Sequence, residues 1–427
     1  MSDPGGALGN RQVRLLCTAL ISTTLASGLQ FFAVGWLGVQ LAVGEGHPER
    51  GPLYLGLIAA GRGLPSLVVG LLAGVYADRF DRRAVLMLTR LGGALVSAAL
   101  AAVVLTGQAG LANVMLLNAL GVIADATEMP LRQSITARIL PVRDLVRAQG
   151  LTNSAFGVTW IFSPLLAGAL IGVLGVGGLT LVAAAFNVVA VVPLLGLDRV
   201  PSSSTEHPGV LRSLGGGVAF VVRSPVLRWV VLLSALASAS VRPLQTMLPA
   251  IASDTLSAGT SELALLLAVF GVGGVGGAIF AVWLGSLGRH GLSFIGLVVA
   301  WGVVNALFAL QGDLAYALLL VALPNLVWAA FASQSLLLIQ AYAPDEVRGR
   351  ALSLYGASVQ AVVPFGTLVV GALATLVGLT AALVIGGLAM SAAGVWALLG
   401  STALRRADLA HDPGAKAAGT ASGAPGG

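Results

Sequence analysis

The chain has 427 residues, of which 57% are hydrophobic and 9% are charged. Soluble globular domains carry about 25% charged residues, so this composition argues against a soluble fold and indicates a protein that crosses a membrane many times. The net charge of +6 does not indicate nucleic-acid binding, because the basic residues are not gathered in one segment. Cys17 is the single cysteine, and no cysteine and histidine cluster indicates a metal site or another cofactor.

Apolar runs long enough to cross a bilayer recur twelve times along the chain. A hydrocarbon core of about 30 Å needs roughly 20 apolar residues per helix, and these runs are far longer than the roughly 10-residue strands of a membrane barrel. The sequence therefore predicts an all-α membrane protein with twelve transmembrane helices. The predicted spans are 14–41, 53–77, 84–106, 110–134, 148–173, 176–197, 226–250, 262–284, 291–311, 314–341, 351–376 and 379–404.

The positions of the basic residues predict how these helices are oriented. Nearly all of them fall on the side of the N-terminus, whereas the opposite loops hold only Arg50. Cytoplasmic loops are enriched in lysine and arginine, so we expect both termini in the cytoplasm, which requires an even number of crossings. The N-terminus lacks the basic and apolar regions of a cleavable signal peptide, so we expect the first helix to remain as an anchor.

Charges inside predicted spans cost about 2.5 to 3.5 kcal/mol each on insertion scales, so each one suggests a function. Arg62 in helix 2 and Arg242 in helix 7 either contact an anionic group of a ligand or act as counter-ions to the buried acids. Asp125 and Glu128 share one face of helix 4. Burial disfavours an ionised carboxylate, which suits a proton carrier. Alternatively, Glu128 forms a structural salt bridge with Arg132, four residues later.

The loop between helices 2 and 3, at 74–83, reads Gly-Val-Tyr-Ala-Asp-Arg-Phe-Asp-Arg-Arg. It resembles the signature loop of the major facilitator superfamily. Its glycine allows close helix packing, and its first acid can face the N-terminal end of another helix. The segments before helices 7 and 11 resemble the branch that contains the enterobactin exporter and macrolide-type efflux pumps. The residues that carry these motifs are Gly74, Asp78, Arg79, Asp81, Arg82 and Arg83 in the first loop and Asp345, Arg348 and Arg350 before helix 11.

This resemblance implies the major facilitator fold, in which two pseudo-repeated six-helix bundles rock about a central cavity. It implies a monomeric secondary transporter of the bacterial cytoplasmic (inner) membrane that exports an amphipathic small molecule, such as a drug, siderophore or secondary metabolite, in exchange for protons. It also implies that the loop residues latch the cytoplasmic side, although the arginines are alternatively only topogenic charges. Helix 5 departs from the Gly-Pro of many antiporters, with Ser163, Pro164 and Gly168.

Internal repetition supports two bundles, because repeated bundles are typical of transporters. When Pro141 is aligned with Pro344, Arg147 meets Arg350, which makes helix 5 the counterpart of helix 11. The polar segment in mid-chain separates the halves, and the tail has the composition of a disordered segment. The expected divisions are an N-terminal bundle at 1–197, a cytoplasmic linker at 198–225, a C-terminal bundle at 226–404 and a disordered cytoplasmic tail at 405–427.

Other functions remain as alternatives. An uncoupled facilitator or a lipid flippase would have the same fold and need no proton. A membrane-embedded sensor or enzyme would need a large extra domain or a catalytic cluster, which the sequence lacks. The run 271–276 matches the dinucleotide fingerprint, but no strand precedes it and no acid follows about 20 residues later, so we reject a nucleotide site.

Overall fold

The computed structural model describes residues 10–79, 81–140, 142–198, 218–310 and 312–407, and the regular structure of these ranges is entirely helical. This confirms the predicted all-α class. Most of the linker and of the tail lie outside the described residues. The uninterrupted helices are α1 Arg11–Gly44, α2 Gly51–Arg79, α3 Arg82–Leu105, α4 Leu111–Ile139, α8 Thr260–Gly285, α9 His290–Ala309, α11 Asp345–Val377, α12 Leu379–Gly400 and the short α13 Thr402–Arg405.

The remaining spans contain breaks. Gly175 has a φ of 66°, a conformation that glycine adopts readily, and it divides Val142–Leu195 into α5 (142–174) and α6 (176–195). The span α7, Pro225–Thr255, is interrupted by a turn at 241–243 and ends as a π-helix. The span α10, Leu314–Tyr342, is interrupted at Val321.

Ten segments of the described chain are long and apolar enough to cross a membrane. One of them, Arg147–Leu195, has 49 residues and contains most of α5 and all of α6 on either side of Gly175. The helix α2, with 29 residues, is also of spanning length, although it is not among the ten. The arrangement therefore fits the twelve predicted helices.

The predicted starts of helices 5 and 11 were both too late by six residues. Helix 5 was expected from residue 148, whereas α5 begins at residue 142. The cause is clear at helix 11. The prediction placed it at residue 351, whereas α11 begins at Asp345, directly after Pro344. A hydropathy window responds only to the apolar part of a helix, and the first turns of α11 are charged. Arg348 and Arg350 therefore lie within the helix and not in the loop before it.

Two faces of the molecule can be distinguished from contacts at helix ends. The Asp198 amide donates to the Gln12 side-chain oxygen at 3.1 Å, so the start of α1 lies beside the end of α6. The Gly291 amide donates to the Ala407 carbonyl at 3.0 Å, so the start of α9 lies beside the end of the described chain. Twelve crossings return the chain to the side on which it starts, so both ends of the described chain lie on one face. We call this the terminal face, and the opposite one the distal face.

The two halves of the molecule pack closely on the distal side. The largest buried apolar cluster there joins both halves, with Leu29 and Leu55 from the first and Leu244 from the second. Small residues allow the approach. A Cβ placed on Gly56 of α2 would lie 3.0 Å from the Cα of Leu368 in α11, which is so close that the backbone of α11 would have to move slightly. The contacts between halves therefore close the distal side.

Candidate functional site

A cavity of about 410 Å³ lies between the two halves. Residues of α1, α2 and α4 form most of its wall, and α7 and α11 of the second half complete it. Its volume is in the range of small-molecule pockets, which is about 300–1,000 Å³. The polar side chains in its lining include Ser27, Gln30, Arg62, Asn118, Asp125, Asn187, Thr246 and Gln360.

An ion pair joins two helices inside this cavity. The Arg62 Nη2 lies 2.8 Å from the Asp125 Oδ2, and the Arg62 Nη1 donates to the Asn118 Oδ1 at 2.9 Å. The Ser27 hydroxyl donates to the Asp125 Oδ1 at 3.1 Å, which adds α1 to the group. The two charged side chains are 34% and 38% exposed, so water and ligands in the cavity can reach them. We call Arg62 and Asp125 the cavity pair.

A second ion pair lies deeper in the first half. The Arg90 Nη1 is 3.4 Å from the Glu128 Oε2, and the Thr23 hydroxyl donates to the Glu128 Oε1 at 2.7 Å. The Arg90 side chain also donates to the Ala124 carbonyl and is 1% exposed, whereas that of Glu128 is 16% exposed. The Arg90 Nε has no hydrogen-bond partner among the residues that the structure describes. We call Arg90 and Glu128 the buried pair.

The buried pair differs from the expected bridge between Glu128 and Arg132. In the structure Glu128 binds Arg90 of α3, and Arg132 is 7% exposed with an Nε that has no hydrogen-bond partner within the described ranges. A spacing of four residues describes only pairs within one helix. It cannot account for a neighbouring helix that brings its own arginine to the same acid.

Arg242 lies apart from both acids. The centre of its guanidinium group is 4.5 Å from the centre of the Trp328 ring. It lines a small pocket in the second half together with Gln245, Asn305 and Asn325, and the structure does not place it in the lining of the central cavity. Asp125 and Glu128 have other arginine partners, so the position of Arg242 does not match that of a counter-ion to either acid.

The first loop motif is described in part. The Asp81 Oδ1 accepts a hydrogen bond from the Arg83 amide at 3.0 Å and so caps the start of α3. The Arg83 Nη2 donates to the Leu195 carbonyl at 2.7 Å, which ties α3 to the end of α6, and Arg82 is 5% exposed. The motif residues whose side chains lie outside the described part of the chain are Gly74, Asp78 and Arg79.

The second loop motif is also described in part. The Arg348 Nε donates to the Ala343 carbonyl at 3.3 Å, and Arg350 is exposed. The side chain of Asp345 lies outside the described residues. The structure therefore places these arginines at the start of α11 on the terminal face.

The helix 5 motif lies in packing contacts. Ser163 is 1% exposed, and its hydroxyl donates to the Trp160 carbonyl at 3.4 Å. The same side chain fills the space in front of Gly28 in α1. Pro164 is buried beside it, and Gly168 lies against α8 of the second half. These residues therefore allow α5 to pack closely between α1 and α8.

Sequence reasoning missed several residues of the two ion-pair groups. Arg90 is a charge inside the predicted span 84–106, so the rule that selects Arg62 also applies to it. Ser27, Thr23 and Asn118 are ordinary polar residues of membrane helices, and only the packing of α1 and α4 reveals their roles. No cluster of metal-ligating side chains is found in the part of the chain that the structure describes.

Comparison with known proteins supports a transporter fold. The family described as transmembrane secretion effector matches residues 6–417. The multidrug efflux pump Tap of Mycolicibacterium fortuitum is 28% identical over 93% of this chain and 98% of that protein. The enterobactin exporter EntS of Shigella boydii is 25% identical over 93% of this chain and 97% of that protein.

Solved structures show the same fold. The nucleoside transporter NupG has a TM-score of 0.71 at 15% identity and covers 90% of this chain and 98% of its own. A bacterial homologue of the human lysosomal transporter Spinster, in an inward-facing and unoccupied conformation, has a TM-score of 0.68 at 14% identity and covers 94% of this chain and 96% of its own. The predicted arrangement of two helical bundles is thereby confirmed.

Proposed function

We propose that this chain, which belongs to the transmembrane secretion effector family of the major facilitator superfamily, exports an amphipathic small molecule in exchange for protons. Family membership makes it a multi-pass membrane transporter of small molecules and not an enzyme. The direction of transport is inferred from two relatives, whose names describe an efflux pump and an exporter. We place it as a monomer in the bacterial cytoplasmic membrane, with the terminal face in the cytoplasm.

The observation that carries this proposal is the cavity pair. Asp125 is an acid within a small-molecule cavity that both halves line, and it is paired with Arg62. A proton that binds the Asp125 carboxylate removes its charge and weakens its attraction to Arg62. The Arg62 guanidinium then keeps its hydrogen bond to Asn118. Proton binding therefore changes the charge of the cavity at the place where a substrate would bind. The binding of the proton and the binding of the substrate are coupled in this way.

Glu128 is the second acid of the proposed coupling site, and it belongs to the buried pair. Protonation of Glu128 would leave Arg90, whose side chain is 1% exposed, as an uncompensated buried charge. Breaking a buried ion pair in this way costs about 3–5 kcal/mol. Protonation of Asp125 would leave Arg62 partly exposed to the cavity and hydrogen-bonded to Asn118. We therefore assign the first proton to Asp125 and the support of α3 against α4 to the buried pair.

Alternating access is proposed to use contacts on each face. Close packing of α2 against α11 closes the distal side in this structure, which corresponds to a cavity that faces the cytoplasm. We propose that the terminal face closes through the two loop motifs when the cavity opens to the distal side. The proposed latch consists of Gly74, Asp78, Arg79, Asp81, Arg82 and Arg83 in the first half and Asp345, Arg348 and Arg350 in the second.

Proteoliposomes would test proton coupling directly. Vesicles would contain the full-length protein and the pH indicator pyranine, and amphipathic drugs such as ethidium and erythromycin would be added. We expect a compound that shows protein-dependent transport to change the internal pH through proton movement in the opposite direction. Asp125→Asn should abolish this pH change, because an amide cannot carry the proton.

The control for this experiment is Glu49→Gln. The Glu49 side chain is 61% exposed at the distal face, so its loss should leave coupling unchanged. Transport without a pH change in the wild type would favour the uncoupled facilitator or flippase. A full pH change in Asp125→Asn would exclude Asp125 as the proton carrier.

A further inference from the structure

We propose that the small pocket around Arg242 is a subsite for a hydroxyl group of the transported molecule, and that phenols are its ligand class. We call it the Arg242 pocket, and its relevant polar members are Arg242, Gln245, Asn305 and Asn325. Its biological meaning rests on the proposed export of a small molecule. The chemistry of the ligand follows from a cation that lacks an acid, a buried acceptor that lacks a donor, and the size of the space that both residues line.

Arg242 lies where α7 departs from helical geometry, at the turn 241–243. Within the described residues, its guanidinium group makes no hydrogen bond or ion pair, and it lies over the Trp328 ring at 4.5 Å from the ring centre. The next acid along α7 is Asp254, three helical turns away. A cation in a membrane helix normally pairs with another group. The donors of Arg242 therefore remain available to a ligand.

Asn305 supplies the complementary group. Its Nδ2 donates to the Trp301 carbonyl at 2.7 Å, which determines the orientation of the amide. Its Oδ1 is buried and has no hydrogen-bond partner within the described part of the chain, and the residue is 2% exposed. An unsatisfied buried acceptor costs about 1–3 kcal/mol, so it favours a ligand that donates a hydrogen bond.

The size of the pocket decides between an anion and a hydroxyl group. The free volume is about 10 Å³ in this conformation, which is enough for one water-sized group. A carboxylate brings two oxygens and no proton, so it would satisfy Arg242 but repel the Asn305 oxygen. A hydroxyl group accepts from Arg242 and donates to Asn305 with a single oxygen. It therefore fits the volume and both polar residues.

The surroundings favour an aromatic hydroxyl. Trp301 and Trp328, with ring centres 5.0 Å apart, both line the pocket, and their indole rings exclude water from the polar groups. Thr246, next to Gln245 in α7, lines the central cavity. In the proposed pose the hydroxyl group enters the pocket and the body of the phenol lies on the side of α7 that faces that cavity. A phenolic O–H is also a stronger donor than an alcohol.

Ligand binding to the purified full-length protein tests this inference. The probes are 2-naphthol, its methyl ether 2-methoxynaphthalene, which cannot donate, and the anion 2-naphthoate. Their affinities would be obtained from the shift of the thermal unfolding midpoint with ligand concentration. We expect 2-naphthol to bind about tenfold more tightly than the ether, because the ether leaves the Asn305 acceptor unpaired. We also expect 2-naphthol to bind more tightly than 2-naphthoate.

Two substitutions locate the effect. Asn305→Leu removes the acceptor and keeps the size, so the ratio of naphthol to ether affinity should fall to about one. Arg242→Gln should reduce the affinity for naphthol, and it provides a second measurement if Asn305→Leu does not fold. Arg406→Gln, an exposed arginine of the terminal face, should behave as the wild type.

Three outcomes would overturn the proposal. Equal affinity for naphthol and the ether would mean that the pocket holds only a structural water. Tighter binding of naphthoate would make it an anion site. An unchanged preference in Asn305→Leu would place the ligand elsewhere. None of these depends on proton coupling, because binding in detergent needs no gradient, and Asp125→Asn should retain the naphthol preference even if it no longer couples.

Discussion

The two halves of the molecule share a helical architecture but differ in what they bury. The first half contains two arginine and carboxylate pairs, one in the cavity and one behind it. The second half buries a group of aromatic rings, with Trp301, Trp328 and Phe331 in mutual contact and Arg242 against Trp328. Repetition of a bundle therefore specifies a scaffold, while the charged residues decide what each copy can do.

This difference suggests a division of labour. A carboxylate whose partner is within reach can gain or lose a proton, and the described membrane helices provide such acids in the first half. An aromatic wall with one unpaired cation cannot carry a proton, but it can recognise a polar group on an apolar ligand. We accordingly assign proton coupling to the first half and ligand recognition to the second.

The largest effect on stability is expected from a substitution in the buried pair of the first half. Glu128→Gln would leave Arg90 charged and unpaired at 1% side-chain exposure, so we expect the free energy of unfolding to fall by about 3–5 kcal/mol. The measurement is the thermal unfolding midpoint of the purified protein. The double variant Arg90→Met with Glu128→Gln should recover much of the loss, because it removes both charges. Wild-type stability of Glu128→Gln would contradict a role for the pair in holding the first half together.

The sequence predicts the helices better than the contacts between them, because hydropathy depends only on residues that are close together in the chain. Hydropathy is local, so the predicted spans agree closely with the helices, and the gap between 173 and 176 coincides with the break at Gly175. It fails at the starts of α5 and α11, where the charged first turns are helical but not apolar. The fold was also predicted from the loop motif, because that motif is specific for the superfamily.

The candidate site was predicted less completely, because its contacts join different helices. Arg62, Asp125 and Glu128 could be selected as charges in apolar spans. The expected counter-ion role of Arg62 agrees with its ion pair to Asp125. The pairing of Arg90 with Glu128 could not be predicted, since it depends on how α3 packs against α4. The unpartnered acceptor of Asn305 has no counterpart in any sequence pattern.

The next expected effect concerns the place where the halves meet. A leucine at Gly56 would bring its Cβ within 3.0 Å of backbone atoms of α11, which cannot move aside as a flexible side chain can. Overpacking of this kind costs about 1–3 kcal/mol, which would shift the ratio of distal-open to distal-closed molecules by about 5- to 150-fold. Gly56→Leu should therefore reduce transport and favour the distal-open state.

Cysteine labelling measures that shift. Cys17, the natural cysteine, is buried, so a Cys17→Ala background with Thr246→Cys reports on access to the cavity. A membrane-impermeant maleimide added to intact cells should label Gly56→Leu faster than its parent. Gly92→Leu is the matched control, because no described atom lies within 4 Å of a Cβ at Gly92. Unchanged labelling together with normal transport would show that α2 and α11 tolerate the larger residue.

The smallest effect on stability is expected at the N-terminal ends of α3 and α9, where the two halves can be compared directly. As the third spanning helix of each half, α3 of the first half corresponds to α9 of the second. Asp81 caps α3 through its hydrogen bond to the Arg83 amide, whereas Arg289 precedes α9 and makes no side-chain capping bond in the described structure. Loss of a carboxylate cap costs about 1 kcal/mol. Asp81→Ala should therefore lower the thermal midpoint slightly, whereas Arg289→Ala should leave it unchanged.

Two other results would change this interpretation. An equal loss in both variants would mean that Asp81 stabilises the first half by something other than its cap. A transport defect in Asp81→Ala beyond its loss of stability would assign Asp81 to the proposed latch.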